Sequence, residues 1–260
     1  MKKYFVIGNP IEHSLSPKLH NYWFKENNID AVYDKKQLNE SDIEQIITEV
    51  KNGKIDGINV TVPFKKSVIP FLDDLTLVAK ETQSVNTIFK KNNKVVGDNT
   101  DIGGFELSLK HINYSVKNKK IFILGAGGVA PSIIIALKRL GASQIILSNR
   151  TKEKAEELKK IYSNIDIVEW GEISDFDMII NVTSVGLKKT DKIKLNYNKI
   201  GPNKLFYDVI YNHEQTNFLE QAKLLGNKIE NGKMMFIYQA QLAFKIWHNI
   251  LPRVKENLLD

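Results

Sequence analysis

The chain has 260 residues, enough for one large domain or two modest ones that bury a core without covalent staples. A hydrophobic fraction of 42% and a charged fraction of 26% exclude a disordered tail, a collagen-like fibre or a disulfide scaffold, and the absence of cysteine excludes thiol nucleophiles, thiolate metal sites and disulfides. The net charge of +7 rests on lysines spread in pairs such as Lys35-Lys36, Lys119-Lys120 and Lys188-Lys189, with Arg139, Arg150 and Arg253 the only arginines. Base readers favour arginine's planar fork, so this pattern reads as a solvated surface with a modest attraction for small anions, not as a nucleic-acid face.

Taken in chain order, residues 3–8 read as a short buried strand followed by a polar loop over 9–16. The apolar run after Met1-Lys2-Lys3 stops at Gly8-Asn9-Pro10, too short for the core of an export signal, and the longest uncharged stretch, 121–137, is too short to span a membrane. A cytoplasmic protein is expected. Ser16-Pro17 reads as a helix start, serine as N-cap and proline at the first helical position, with the helix running to about residue 27. A strand over 31–38 follows, then a capping box at Ser41–Glu44 opening a helix that aligns Ile43, Ile46, Ile47 and Val50 on one face. Residues 55–60 read as a strand, 64–72 as a short helix, and 85–96 as a hairpin turning at Asn92-Asn93.

Beyond Asp101 strands and helices alternate: strand 120–124, helix 128–140, strand 143–148, helix 151–162, then strands near 165–168, 177–182 and 204–208. That alternation argues for a parallel sheet with crossover helices. An aromatic-rich apolar helix over 234–250 ends the pattern. The expected fold class is α/β with two domains: an N-terminal α/β domain over 1–101 plus 235–260, and a Rossmann-type parallel-sheet domain over 102–234.

Gly125-Ala126-Gly127-Gly128-Val129 lies between an apolar strand and an apolar helix, the context a dinucleotide fingerprint requires. Gly125 would make the tight turn, Gly127 would allow close approach of a pyrophosphate, and the helix N-terminus would offer N–H groups to it. About twenty residues on, where an NAD site would carry an acid, the chain has Asn149, Arg150 and Thr151, with Lys154 one helical turn further. A guanidinium without a competing carboxylate suits a 2′-phosphate, so NADP(H) is the expected cofactor.

In the first domain several polar residues stand where periodicity does not demand them: Ser14 and Ser16, Asn59 and Thr61 two apart at a strand end, Lys65, Asn86 and Asp101. Each alone has an ordinary reading, Ser16 and Asp101 as helix caps and Lys65 as a solvated charge. Together they offer hydroxyls and amides for a polyol carboxylate, one amine and one carboxylate.

Those residues, in the segments Ser14-Leu-Ser16-Pro17, Asn59-Val-Thr61-Val-Pro63-Phe-Lys65, Val85-Asn86-Thr87, Asn99-Thr-Asp101, Gly125–Gly128, Asn149-Arg-Thr151, Asn181-Val-Thr183, Asp208-Val-Ile-Tyr211 and Gly232 through Met235 to Gln239, resemble the shikimate dehydrogenase family over nearly the whole chain. The resemblance implies reversible NADP-dependent reduction of 3-dehydroshikimate to shikimate, a step towards chorismate and aromatic amino acids. It implies Lys65 and Asp101 as the acid–base pair, Ser14 and Ser16 at the substrate carboxylate with Tyr211 near it, and Asn59, Thr61, Asn86 and Gln239 at ring hydroxyls. Gly232 and Met235 would border the nicotinamide, and Thr183 the cofactor's phosphate or ribose side. The partner would be this small molecule, with no nucleic acid, membrane or metal, in a monomer or homodimer. His213 stands where the family often has proline, and Lys154 where an arginine is often found. A quinate/shikimate dehydrogenase of broader specificity is the alternative within this chemistry; a non-catalytic nucleotide-binding relative would lack Lys65 or Asp101, and both are present.

Overall fold

Strand β1 (Lys2–Gly8) lies between β2 (Ala31–Gln37) and β3 (Gly57–Val60), parallel to both. With β4 (Asp74–Leu75), β5 (Thr87–Lys91) and β6 (Lys94–Asp98) they form a six-stranded mixed sheet in the order β2-β1-β3-β5-β6-β4. The computed structural model describes residues 1–255, 258 and 259. The chain divides into two units, Met1–Phe105 with Ile237–Asp260, and Glu106–Phe236.

In the first unit the expected hairpin is present: β5 and β6 pair antiparallel, and Asn92 and Asn93 take φ of 49° and 60°, the left-handed pair that matches strand twist. Helix α2 (Ile43–Lys51) buries Ile43, Ile46, Ile47 and Val50 in a core with Ile7, Ile58, Val60, Val85 and Ile88. Two helix starts differ from expectation. Helix α1 (Ser16–Glu26) has Leu15 at its N-cap and Ser16 already inside, its N–H taken at 3.3 Å by the hydroxyl of Ser14, two residues before the helix. The capping bonds before α2 sit earlier than Ser41: the Asn39 N–H donates to Asp42 Oδ2 at 2.8 Å, opening a 3₁₀ turn over Glu40–Asp42 that runs into the helix. Nor is 64–72 a regular helix. It is a run of turns ending in a 3₁₀ segment, Ile69–Phe71, since Pro70 can neither donate to the ladder nor continue an α-helix. A short helix α3 (Leu77–Thr82), capped by Thr76 Oγ1 accepting from Ala79 N–H at 3.2 Å, was not expected.

Helix α4 (Asp101–His111) leads into the second unit. There β7 (Lys120–Leu124), α5 (Ala130–Arg139), β8 (Gln144–Ser148), α6 (Lys152–Ile161), β9 (Ile165–Val168), β10 (Met178–Asn181), β11 (Leu205–Asp208), α7 (Asn217–Leu224) and β12 (Lys228–Glu230) follow. Every pairing is parallel, in the order β12-β11-β10-β7-β8-β9. Read from the other edge this is the 3-2-1-4-5-6 order of the Rossmann fold, whose direction reverses between β7 and β10, where the crevice for a dinucleotide opens. The α/β expectation is borne out, with α7 and β12 added. The alternation is looser than the sequence implies, because β9 and β10, and β10 and β11, are joined without an α-helix. Among the described residues no helix is long and apolar enough to cross a membrane.

Helix α8 (Lys233–His248) returns the chain to the first unit from Ile237 on. Trp247 Nε1 donates to Ile88 O at 3.2 Å, over Gly57, where a Cβ would lie 2.4 Å from that nitrogen. Around it gather Tyr4, Trp23, Phe24, Tyr33, Phe244 and the ring of His20, which is fully buried with neither ring nitrogen hydrogen-bonded. Burial, then the charge of His248, push the His20 pKa down to about 3. Because the unfolded chain protonates near the ordinary value and the folded chain does not, His20 removes stability as pH falls below about 6.5. The slope is about 1.4 kcal/mol per pH unit once the unfolded histidine is protonated. We expect His20→Phe to lose stability less steeply than the parent between pH 6 and pH 4 in urea titrations, whatever its stability at neutral pH; parallel slopes would remove His20 from the acid response.

Candidate active site

Lys65 follows the turn after β3, and its backbone carbonyl accepts the Val85 N–H at 2.8 Å, which fastens the turn to the strand leading into Asn86. From there Lys65 Nζ donates to Asp101 Oδ2 at 2.6 Å, both side chains largely buried, at 11% and 7% exposure. Asp101 opens α4, but its carboxylate does not cap the helix. Asn99 Oδ1 takes the Asp101 N–H instead, at 3.0 Å, leaving both carboxylate oxygens for side chains. A buried ion pair is tolerable only when its remaining groups are bonded, and on the carboxylate side they are: Asp101 Oδ1 accepts from Asn86 Nδ2 at 2.9 Å. Asp101 takes one of the three Lys65 N–H donors, and the other two have no acceptor among the described residues.

Asn86 is the hub. Its Oδ1 accepts from the Thr100 N–H at 2.8 Å and from Thr87 Oγ1 at 3.0 Å, and its two Nδ2 hydrogens are shared among Asp101 Oδ1 and Thr100 Oγ1, both at 2.9 Å, and Gln239 Oε1 at 3.3 Å. The Thr100 N–H can only donate, which fixes which end of the amide is oxygen. Asn59, directly opposite Thr87 in the β3–β5 pairing, donates to Asn86 O at 3.0 Å and to Thr87 Oγ1 at 3.1 Å, and its Oδ1 accepts from the Tyr33 phenol at 2.8 Å. The structure thus brings Lys65, Asp101, Asn86, Asn59 and Gln239 into one hydrogen-bonded group. Ser14 and Ser16 sit together at the start of α1, Ser16 buried and Ser14 half-buried, and Thr61 is half-buried just beyond β3. Tyr33, Thr87 and Thr100 were not expected in this group. Thr87 and Thr100 adjoin expected residues in sequence, whereas nothing local points to Tyr33.

In the second unit Gly125 and Gly127 differ in what they require. Gly125 has φ +109°, and a Cβ there would lie 2.7 Å from Thr183 Cγ2 and 3.1 Å from its backbone nitrogen. Gly127 is exposed, and a Cβ there would meet only Val182 O, at 3.7 Å. The first glycine therefore serves the fold, while the second leaves a cradle at the N-terminal end of α5 that a side chain would fill, as a pyrophosphate-binding turn needs. Asn149 ties this turn down: its Oδ1 accepts the Ala126 N–H at 3.0 Å and its Nδ2 donates to Thr151 O at 2.6 Å. Val129 is the residue before α5 and Thr151 the one before α6. Arg150 and Lys154 are exposed, with no ion-pair partner among the described residues, so both charges stand open to an anion.

Thr183 sits at the C-terminal end of β10, its Oγ1 donating to Asn181 Oδ1 at 2.7 Å. Asn181 Nδ2 donates to Asp208 Oδ1 at 3.0 Å, and Thr216 Oγ1 to Asp208 Oδ2 at 2.6 Å, a buried network that pins the ends of β10 and β11. Burial raises the Asp208 pKa to about 6 against these three donors, the third being the Ile210 N–H. Asn181 and Asp208 lie in recognised segments, but their function as struts was not legible there. Tyr211 stacks on Phe236 with ring centroids 4.2 Å apart, and burial pushes its phenol up to about 12, so it stays neutral. Gly232 packs so closely on the Val209 carbonyl that a Cβ would fall 2.1 Å from it, and Met235 is buried in α8. His213, the departure from the family pattern, makes a ring-nitrogen hydrogen bond with Leu187 O at 2.7 Å.

Comparison with known proteins agrees with this geometry. Residues 6–88 match the family model described as shikimate dehydrogenase substrate binding domain, and residues 106–193 that of shikimate / quinate 5-dehydrogenase. The shikimate dehydrogenase (NADP(+)) of Pelagibacter ubique (strain HTCC1062) is 61% identical, with all of both chains covered. The crystal structure of shikimate dehydrogenase from Aquifex aeolicus superposes with a TM-score of 0.92 at 39% identity, covering 100% of this chain and 96% of that one. That of shikimate 5-dehydrogenase from Thermus thermophilus, in complex with NADP(H) and shikimate, does so with a TM-score of 0.90 at 27% identity, covering 100% and 97%. On these matches and on the site's own residues, the chain belongs to the shikimate dehydrogenase family.

Proposed function

We propose that the chain interconverts shikimate and 3-dehydroshikimate with NADP(H), using Lys65 as the acid–base group and Asp101 as its holder. The observation that carries this reading is the buried Lys65–Asp101 pair, which leaves two ammonium N–H groups for a ligand oxygen among neutral hydroxyls and amides. A ketone reduction needs a hydride and a proton together, and the nicotinamide cofactor, when bound, supplies only the hydride. Lys65 Nζ gives its proton to the carbonyl oxygen as the alcohol forms, and in oxidation takes the hydroxyl proton back. Asp101 aims Nζ and, through its second oxygen, is itself aimed by Asn86.

Ser14 and Ser16 offer neutral hydroxyls to the substrate carboxylate, with Tyr211 as a further neutral donor, while Asn59, Thr61 and Gln239 serve ring hydroxyls. Asn86 has both amide ends engaged by the protein, so its contribution runs through Asp101 and Gln239. The residues of the second unit suit NADP(H): the open cradle at Gly127, the turn held by Asn149, and the exposed Arg150, Thr151 and Lys154 for a 2′-phosphate. Thr183, Ala126, Gly128, Val129, Gly232 and Met235 complete the cofactor side of the proposal.

The test is NADP⁺ reduction with shikimate and quinate side by side, followed by variants. Lys65→Ala should lower kcat by about 10²–10⁴-fold with cofactor binding retained; turnover within about fivefold of the parent removes it from the mechanism. Arg150→Ala should weaken NADP⁺ about 5–30-fold, less than a buried pair would because solvent screens it, and leave NAD⁺ unchanged. Equal loss for both coenzymes would place Arg150 elsewhere. Gly125→Ala should lower the melting temperature, whereas Gly127→Ala should keep it and raise the NADP⁺ KM. The reverse pattern would contradict the division of labour between the two glycines.

A further inference from the structure

We infer that Tyr33 is a specificity-determining positioning residue: its phenol locks the Asn59 amide so that Asn59 can only accept from a substrate hydroxyl. The inference rests on the proposed reading of Asn59 as a substrate contact. Tyr33 lies on β2 and Asn59 on β3, with β1 between them. The pairings Tyr33 with Tyr4 and Tyr4 with Gly57 put Asn59 two residues beyond Gly57, and so on the same sheet face as Tyr33. The Tyr33 ring is 1% exposed and stacks on His20 with centroids 4.3 Å apart and planes 2° apart, which fixes where its hydroxyl points.

The orientation of the Asn59 amide follows from its neighbours. The Asn86 backbone carbonyl can only accept, so Asn59 Nδ2 faces it, and the second Nδ2 hydrogen goes to Thr87 Oγ1. Both donors are thereby consumed. Oδ1 turns to Tyr33, whose hydroxyl must then donate, and that bond occupies one of the two lone pairs. The remaining lone pair is all that Asn59 offers a ligand. It meets a hydroxyl as acceptor and repels a carbonyl or ether oxygen. The phenol thus does two things: it holds the amide plane, and it spends the lone pair that could otherwise admit a second orientation of the ligand.

The bonds run in one direction as far as the Asp101 carboxylate, which accepts from Asn86 on one side and from Lys65 on the other. Tyr33 donates to Asn59, Asn59 to Thr87, Thr87 to Asn86, and Asn86 to Asp101, which holds Lys65.

The experiment compares the parent, Tyr33→Phe, Asn59→Ala and the double variant, measuring KM for shikimate, KM for NADP⁺, kcat and melting temperature. Phenylalanine keeps the stack on His20, so folding should survive. Tyr33→Phe should raise the shikimate KM about 5–30-fold, leave kcat within about twofold and NADP⁺ KM unchanged, and have no further effect on KM in the Asn59→Ala background. A shikimate KM that is unchanged, or that rises equally with and without Asn59, overturns the inference. So does a loss spread over kcat and both KM values, which marks a merely structural role. Loss of melting temperature with the shikimate KM unmoved overturns it as well. A parent that does not oxidise shikimate overturns the proposed function itself, and is thereby distinguished from a parent that oxidises it but ignores Tyr33.

Discussion

A lysine and an aspartate taken out of water together set the terms for the first unit. Removing either charge alone would leave the other buried and unpaired, a loss of about 3–5 kcal/mol, and keeping both requires that the remaining oxygen and the flanking backbone be bonded. Asn86, Thr100, Asn99 and Thr87 meet that requirement, and they come from the β5 strand, its approach and the turn before α4. Sheet register, the direction in which α4 begins and the turn that carries Lys65 are all tied to one 2.6 Å contact.

The two units solve opposite problems. In the first, polar side chains are buried and saturated by one another, which favours rigidity and leaves few atoms able to speak to a ligand. In the second, the groups at the glycine turn and at Arg150 and Lys154 remain open, while the rigid scaffold lies behind them in Asn149 and in the Asn181–Asp208–Thr216 struts. Ring hydroxyls are best discriminated by fixed donors and acceptors, whereas phosphate groups need backbone N–H groups and solvated cations.

Much of this was readable in the chain because the signal was local. The glycine turn joins an apolar strand to an apolar helix within ten residues, and β7, β8, β10 and β11 lie within two residues of their expected places. Lys65, Asp101 and Asn86 stood out as polar groups without a periodic reason. What escaped was set by contacts distant in sequence or by competition between neighbours. The Ser16 N–H is taken by Ser14, two residues outside the helix, and Asn39 and Asp42 make the capping bonds expected at Ser41. Tyr33 reads as one aromatic in a strand until the register of three strands sets it beside Asn59. Asp208 and Thr216 likewise meet only once β11 and the loop after it are built.

The first unit is discontinuous: its sheet is made from the first hundred residues, yet Trp247 on Ile88, Gln241 on Pro252 and Trp23 on Arg253 are bonds that need the last twenty. During synthesis the second unit emerges whole, from Glu106 to Phe236, before those residues leave the ribosome. Its parallel sheet can close while the aromatic cluster of the first unit still lacks Phe244 and Trp247. Because domains fold as units in the order their residues become available, the unit that starts first is finished last. Gln239, which touches Asn86, arrives with that final helix. A nascent chain that stops near residue 240 therefore retains a complete parallel sheet in its second unit but an unsealed first unit, and chaperones and proteases would meet the protein in that form.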